Sequence, residues 1–212
     1  MGTRIGIFGG SFDPIHNGHL LLAELCCESL ALDQVRFLIA SVSPFKTNSL
    51  PASNKARSEM VKLAIGGNPM FEIDTREIDR GGISYTIDSV RSIADENPGS
   101  QLFLLMGADA IVDIAKWKEP EELFRLVTPC VLSRGGVGEP KWDVLKPYVD
   151  CDRLAEIQRA HVAAPQVEIS SFDLRRRVMQ GKSIRYQVPR SVEMFIQEHR
   201  LYQGKSSLHP TS

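Results

Sequence analysis

The chain has 212 residues, of which 42% are hydrophobic and 24% charged, and its formal net charge is −1. This length suits one packed domain, and the composition excludes global disorder and gives no overall drive toward nucleic acid or an anionic membrane. Since the sequence also lacks an apolar run long enough for a membrane span and a recognisable targeting segment, we expect a cytoplasmic protein without nucleic-acid or membrane partners.

In chain order, short apolar runs alternate with segments of helical periodicity. We predict strands over 4–8, 34–40, 71–73, 101–106, 129–133 and 167–169. We predict helices over 17–32, 53–65, 84–94, 119–126, 171–180 and 189–198, with Ser53 and Ser84 as N-caps. Residues 135–165 mix glycine, proline and charged helical stretches without a clear assignment. Residues 1–202 are predicted to form one domain, followed by a flexible polar tail over 203–212.

Continuous apolar strands that alternate with helices indicate a parallel sheet covered on both faces. The predicted fold class is therefore α/β, a Rossmann-like doubly wound sheet with a C-terminal helical segment. Ligands of such sheets bind beyond the carboxyl ends of the strands. The loops expected to carry function accordingly follow Phe8, Ala40, Met106, Ser133 and Ile169.

The four cysteines, Cys26, Cys27, Cys130 and Cys151, contain no CxxC pair and no histidine at zinc-ligand spacing. We expect free thiols in a reducing compartment.

The loop after the first strand reads GGSFDPIHNGH from Gly9 to His19. Glycines let backbone N–H groups approach a phosphate, and the start of the following helix adds partial positive charge. His16 and His19 are three residues apart, so both can face one anion. The segment lacks GxGxxG and GxxxxGK[ST], which excludes a dinucleotide fingerprint and a P-loop. The alternative interpretation is a glycine-rich turn with two surface histidines.

The GSFDPIHNGH segment resembles the nucleotidylyltransferase superfamily with its HxGH motif, and within it the bacterial nicotinate-mononucleotide adenylyltransferases. Four further segments extend the resemblance to about residue 202. They are Ser84-Tyr85-Thr86, Gly107-Ala108-Asp109 with Trp117-Lys118, Val131 to Arg134, and Ile169 to Arg177, which reads ISSFDLRRR.

The resemblance implies that AMP is transferred from ATP to nicotinate mononucleotide, giving deamido-NAD and pyrophosphate. The attacking phosphate is already an anion, so catalysis reduces to positioning and charge stabilisation. His16 and His19 are the expected catalytic donors to the triphosphate. Mg²⁺ is expected with ATP, and we see no protein cage for it, since Asp13 and Asp109 are better explained as loop, cap or nucleotide-hydroxyl contacts.

The resemblance also implies two sets of binding residues. Residues expected at ATP are Gly9, Gly10, Ser11, Phe12, Lys46, Gly107, Asp109, Ser170, Ser171, Arg175 and Arg177. Residues expected at the pyridine mononucleotide are Tyr85, Thr86, Trp117 and Arg134. Among these, Trp117 would stack on the pyridine ring, and Thr86 would meet its carboxylate at a helix start.

Two residues depart from the family pattern. Phe172 stands where threonine is usual, which removes a hydroxyl at a phosphate-binding helix start. Phe45 stands where many relatives have histidine, which removes an ATP contact.

Several alternatives share parts of this pattern. Phosphopantetheine adenylyltransferase belongs to the same superfamily but is usually shorter and has threonine in place of His16. A class I aminoacyl-tRNA synthetase core would need a KMSKS-like loop and a tRNA-binding domain. Nicotinamide mononucleotide as acceptor and a non-catalytic nucleotide sensor also stay open, as does the oligomeric state, for which a homo-oligomer is compatible with the sequence.

Overall fold

Six parallel strands form one sheet in the computed structural model, which describes residues 2–42, 52–134 and 140–203 apart from the side chains of Asp109 and Arg134. The strands are β1 (Arg4–Gly10), β2 (Gln34–Ile39), β3 (Phe71–Asp74), β4 (Gln101–Gly107), β5 (Thr128–Arg134) and β6 (Val162–Ala164). Their order is β3-β2-β1-β4-β5-β6, so strand order reverses between β1 and β4. The predicted Rossmann-like fold is confirmed, and its ligand cleft is expected at the carboxyl ends of these two strands.

Helices cover both faces of the sheet. They are α1 (Asn17–Leu30), α2 (Asn54–Ile65), α3 (Arg76–Arg80), α4 (Thr86–Glu96), α5 (Ala108–Val112), α6 (Pro120–Leu126), α7 (Cys151–Arg159), α8 (Ser171–Met179) and α9 (Arg190–Glu198), with 3-10 turns at Ile114–Lys116 and Trp142–Leu145. Helices that follow parallel strands begin at the carboxyl edge of the sheet. The first turns of α1 and α4 therefore point toward the cleft.

The buried side chains form two cores, one on each face of the sheet. Successive residues of a strand point to opposite faces, so Phe103 and Leu105 of β4 enter one core while Leu102 and Leu104 enter the other. This explains why the strands are continuous apolar runs, which made them recognisable in the sequence.

The last predicted strand is wrong. Residues 167–169 have no regular structure, and the sixth strand is Val162–Ala164, which pairs with Leu132 to Arg134 of β5. A strand of three residues at a sheet edge is too short to give a periodic signal.

Ser84 is not the cap of α4, as was predicted. The helix begins at Thr86, and the Ser84 hydroxyl instead accepts a hydrogen bond from the Ser41 N–H at 2.9 Å. By contrast, Ser53 caps α2 as predicted, with its hydroxyl accepting from the Ala56 N–H. Both helices that follow these serines exist as predicted, but only one of the two serines is the N-cap.

All four cysteines are free, as predicted. Cys26, Cys27 and Cys130 are buried, with the sulfur atoms of Cys26 and Cys130 3.6 Å apart, whereas Cys151 is exposed. Across the described ranges, no helix is long and apolar enough to cross a membrane.

Candidate functional site

His16 and His19 lock each other at the start of α1. His16 is the N-cap: its Nδ1 accepts from the His19 N–H, while the Nδ1 of His19 accepts from the His16 N–H, both at 3.3 Å. The two rings stack with centroids 3.6 Å apart. Because Nδ1 of each ring is an acceptor, the neutral form of each ring carries its proton on Nε2. The first turn of α1 therefore carries two stacked imidazole rings whose Nε2–H groups can act as hydrogen-bond donors.

Gly18 makes room for this pair. A Cβ on Gly18 would lie 3.1 Å from Nδ1 of His16, closer than ordinary van der Waals contact. The glycine between the two histidines therefore lets the His16 ring fold over the helix start.

The rest of the first loop lies above a buried aromatic cluster. Gly9 is exposed with open space around its missing Cβ, whereas a Cβ on Gly10 would lie 2.9 Å from the Phe12 ring. The Phe12 ring is 2% exposed and contacts the edge of His19 at a centroid distance of 5.2 Å. Phe12 was predicted at ATP, but its ring is core, so any ATP contact would involve its backbone. Its ring instead supports His19 from below.

Asp13 is a buried hub that the sequence did not reveal. Its carboxylate is 2% exposed, and Oδ1 accepts from the Tyr202 hydroxyl at 2.6 Å and from the Ala52 N–H at 3.1 Å. The Arg175 guanidinium lies nearby, with Nη1 3.7 Å from Oδ2. The prediction that Asp13 is a loop carboxylate fits these contacts, which link the first loop to the segment before α2, to α8 and to the C-terminal segment.

Arg57 ties two loops together beneath the same site. It is 2% exposed, and its terminal nitrogens donate to the carbonyls of Ser11, Ala40 and Ser41 and to the side chain of Asn54. Burial lowers the pKa of Arg57, and Asp13 partly offsets this effect. Arg57 thus fixes the loops after β1 and β2 at the carboxyl edge of the sheet. Its position within the predicted helix over 53–65 gave no signal of this role.

Helix α8 is joined directly to the first loop. The Ser171 hydroxyl donates to the Pro14 carbonyl at 2.9 Å, and Nη1 of Arg175 donates to the Asp13 carbonyl at 2.6 Å. Ser170 is the N-cap of α8, with its hydroxyl accepting from the Asp173 N–H. The structure therefore brings Ser171 and Arg175 to the histidine loop, while the hydroxyls of both serines already serve the fold.

Arg177 and Phe172 lie differently on α8. Nε and Nη2 of Arg177 donate to the Ser183 carbonyl at 2.9 and 2.8 Å, so its guanidinium is engaged with the following loop and not with the histidine loop. Phe172 is 65% exposed. It occupies a surface position, so its size reflects no demand of the core.

Two of the predicted acceptor residues, Tyr85 and Thr86, lie at the start of α4. Tyr85 is the N-cap residue and makes no side-chain cap bond, so the first N–H groups of α4 have no capping side chain among the described residues. Nζ of Lys118 lies 3.0 Å from the Asp88 carboxylate in the first turn and 5.0 Å from the centre of the Tyr85 ring. Trp117 is half-buried beside it. Lys118 neutralises the one acidic side chain in the first turn, which preserves the preference of this helix start for an anion.

The remaining predicted residues are only partly covered. Gly107 ends β4 beside β1 and has open space where a Cβ would be. Asp109 lies in α5 and Arg134 ends β5, but their side chains are outside the described structure, as are Lys46 and Phe45 entirely. Within residues 2–42, 52–134 and 140–203, no group of three or more His, Cys, Asp or Glu could hold a metal ion.

Comparison with known sequences places the chain among nucleotidyltransferases. The cytidylyltransferase-like family model matches residues 7–177. A protein of Thermus thermophilus is 43% identical over 94% of this chain and 99% of its own length. One of Rhodopirellula baltica is 37% identical over 93% of this chain and 92% of its own. Both carry the name "Probable nicotinate-nucleotide adenylyltransferase".

Solved structures share the fold. The Plasmodium falciparum nicotinic acid mononucleotide adenylyltransferase complexed with NaAD superimposes with a TM-score of 0.69 over 94% of this chain and 97% of that chain, at 18% identity. A second structure of that enzyme, complexed with APC, gives a TM-score of 0.67 over the same shares of the two chains, again at 18% identity.

Proposed function

The chain belongs to the cytidylyltransferase-like family of nucleotidyltransferases, and we propose that it transfers AMP from ATP to nicotinate mononucleotide, forming deamido-NAD and releasing pyrophosphate. The observation that carries this proposal is the histidine pair of His16 and His19 at the start of α1, held by reciprocal hydrogen bonds. The pair lies after β1, where the strand order reverses and α/β sheets bind their ligands.

The reaction is an in-line displacement at the α-phosphorus of ATP. An oxygen of the acceptor's phosphate forms the new P–O bond as the bond to the pyrophosphate oxygen breaks. The nucleophile is already ionised at neutral pH, so the protein need not supply a strong base. Its contribution is to hold both substrates in line and to stabilise the charge that moves onto the leaving group.

The two histidines are suited to that stabilisation. Their Nδ1 atoms are held by backbone N–H groups and the two rings stack, which fixes the orientation of both rings and leaves Nε2 as the proton-bearing nitrogen of each neutral ring. Donors that are oriented before the reaction cost no reorganisation when charge develops. The N-terminus of α1 adds partial positive charge in the same direction.

The triphosphate needs further cations. Arg175 is joined to the histidine loop through the Asp13 carbonyl, and its guanidinium geometry suits phosphate oxygens. Lys46 and Arg177 stay predictions, since the first lies outside the described structure and the second is bonded to Ser183. Mg²⁺ would bind to the ATP phosphates and retain most of its waters, which agrees with the commitment of Asp13 to protein partners.

The start of α4 suits the acceptor's pyridine carboxylate. Its N–H groups have no capping side chain among the described residues, and Lys118 compensates Asp88. Trp117 would supply a flat face for the pyridine ring, as the resemblance implies. A carboxylate satisfies two N–H donors at a helix start, whereas an amide opposes one of them with its own NH₂.

Pyrophosphate release from Mg-ATP tests the proposal when nicotinate mononucleotide, nicotinamide mononucleotide and phosphopantetheine are supplied one at a time. We expect release to be fastest with nicotinate mononucleotide. Release only with phosphopantetheine would instead identify the chain as a phosphopantetheine adenylyltransferase. ATP binding without release in any of the three would indicate a nucleotide sensor.

A further inference from the structure

The two carboxylate oxygens of Asp13 have different partners. Oδ1 receives two neutral donors, the Tyr202 hydroxyl at 2.6 Å and the Ala52 N–H at 3.1 Å. The nearby cation, Arg175, keeps its Nη1 3.7 Å from Oδ2, beyond hydrogen-bond distance. A buried carboxylate normally attracts the strongest available donor. Here two neutral groups satisfy it instead.

The position of Arg175 is fixed by the backbone and not by the carboxylate. Nη1 donates to the Asp13 main-chain carbonyl at 2.6 Å, and the side chain is 21% exposed. A carbonyl orients a guanidinium without carrying a full negative charge. Arg175 is therefore held beside the histidine loop by the Asp13 carbonyl, and its ion pair with the Asp13 carboxylate lacks a direct hydrogen bond.

We propose that Tyr202 is a positioning residue that keeps the Asp13 carboxylate away from Arg175, so that Arg175 stays available for the β- and γ-phosphates of ATP. The inference rests on the proposed function for the identity of the ligand. Burial, reinforced by Asp13, raises the pKa of Tyr202, so its hydroxyl stays a neutral donor at physiological pH.

Removal of the Tyr202 hydroxyl would change the partner of Asp13. Oδ1 would lose its shortest hydrogen bond, and a buried carboxylate must recover a donor. The terminal nitrogens of Arg57 are already bonded to three carbonyls and to Asn54. Nε of Arg57 is buried without a hydrogen-bond partner among the described residues, but the four bonds of the terminal nitrogens hold that guanidinium in place. Arg175 is 21% exposed and is the cation that can move. A hydrogen-bonded Asp13–Arg175 pair would no longer be available to the phosphates.

The test compares Tyr202→Phe with Tyr148→Phe in the full chain. Tyr148 packs against Phe124 in the other core, so it controls for loss of a tyrosine hydroxyl. Calorimetric titration with ATP and with AMP reports binding without requiring turnover. We expect Tyr202→Phe to weaken ATP about tenfold, the scale of one hydrogen bond to a charged group, and to leave AMP unchanged. Tyr148→Phe should change neither.

Two further variants distinguish a positioning role of Tyr202 from a general structural defect. In Arg175→Ala, the added Tyr202→Phe should cause no further loss of ATP affinity, because the residue through which it acts is gone. Asp13→Asn keeps an oxygen for Tyr202 and Ala52 but removes the charge, so its ATP affinity should equal or exceed that of wild type, even if Tyr202→Phe fails to fold.

Equal loss of ATP and AMP binding, an additive loss in the Arg175→Ala background, or weaker ATP binding by Asp13→Asn would each overturn the inference. Unchanged ATP binding by folded Tyr202→Phe would do the same. Failure of the proposed function would be seen in a different measurement: the wild-type protein would release no pyrophosphate with nicotinate mononucleotide, whatever the ATP-binding results.

Discussion

At the scale of single residues, His19 has two separable roles. Its Nδ1 accepts from the His16 N–H, and in the proposed mechanism its Nε2–H donates to the triphosphate. We expect His19→Ala to lower kcat by about two to three orders of magnitude, the effect of losing one transition-state donor. Loss of the reciprocal cap should cost only about 1 kcal/mol in the free energy of unfolding. Steady-state kinetics and thermal unfolding measure the two effects.

His199→Ala is the matched control for His19→Ala. His199 is exposed at the end of α9 and packs on Phe195, far from the histidine loop in sequence and without a part in the proposed chemistry. It should keep the wild-type kcat. A His19→Ala protein with wild-type kcat and normal stability would remove His19 from the mechanism.

Arg175 is expected to bind the outer phosphates of ATP. Arg175→Ala should raise KM for ATP more than it raises the inhibition constant of AMP, because AMP lacks the β- and γ-phosphates. Arg176→Ala is the control, since Arg176 pairs with Asp173 on the exposed side of α8. Competitive inhibition by AMP supplies the comparison, and equal losses for ATP and AMP would show that Arg175 does not reach the outer phosphates.

Phe172→Thr restores the residue usual in the family. Because Phe172 is 65% exposed, we expect the free energy of unfolding to change by less than about 0.5 kcal/mol, as at most surface positions. ATP binding should be unchanged or tighter by less than about 1.5 kcal/mol, the scale of one neutral hydrogen bond. Thermal unfolding and ATP titration measure both, and a loss of several kcal/mol in stability would contradict the surface placement.

Single residues differ in how far the sequence could predict them. The histidine pair was predictable because His16 and His19 are close in the chain and belong to a helix start. Tyr202 and Asp13 are 189 residues apart, and no local periodicity connects them. Phe12 was assigned to ATP by its place in the motif, whereas its ring is buried, because the motif fixes the backbone and not the direction of every side chain.

At the scale of elements, α4 is the part that should select the acceptor. Its N–H groups have no capping side chain among the described residues. An amide would leave one such donor unpaired, at about 1–3 kcal/mol, so we expect kcat/KM for nicotinate mononucleotide to exceed that for nicotinamide mononucleotide by about tenfold or more. Equal values would contradict the role of the helix start, though not adenylyl transfer itself.

Trp117 should act on both acceptors alike. Both pyridine rings stack equally well, so Trp117→Ala should lower kcat/KM for the two mononucleotides by the same factor. Trp142→Ala is a control, because Trp142 packs against His161 in a segment without predicted ligand contacts. A change in the ratio of the two kcat/KM values would assign Trp117 a part in recognising the carboxylate.

Element prediction succeeded where burial shaped the sequence. The central strands β1 and β4 are buried on both faces and read as apolar runs, and the amphipathic helices α2 and α9 were placed within one or two residues. The five-residue helices α3 and α5 were missed because so short a helix shows no periodicity. The alternating VEI pattern of residues 167–169 predicts a strand, but none of the described strands of the sheet pairs with this segment.

At the scale of the whole molecule, the cysteines report the integrity of the fold. Cys151 is exposed, and Cys26, Cys27 and Cys130 are buried. Burial, with neighbouring Glu24, raises the pKa of Cys27 to about 11, so its thiolate is scarce at neutral pH. A thiol reagent should label one cysteine in the folded protein and four in denaturant. Rapid labelling of three or more in the native state would contradict the packing of α1 on the sheet.

The central claim is that this fold holds ATP and nicotinate mononucleotide for adenylyl transfer between them. The most direct measurement is the yield of deamido-NAD and pyrophosphate from Mg-ATP and nicotinate mononucleotide, with His19→Ala as the folded control. We predict that wild type forms the two products in equal amounts and that His19→Ala forms them far more slowly. Hydrolysis of ATP by the wild type without formation of deamido-NAD would contradict the claim.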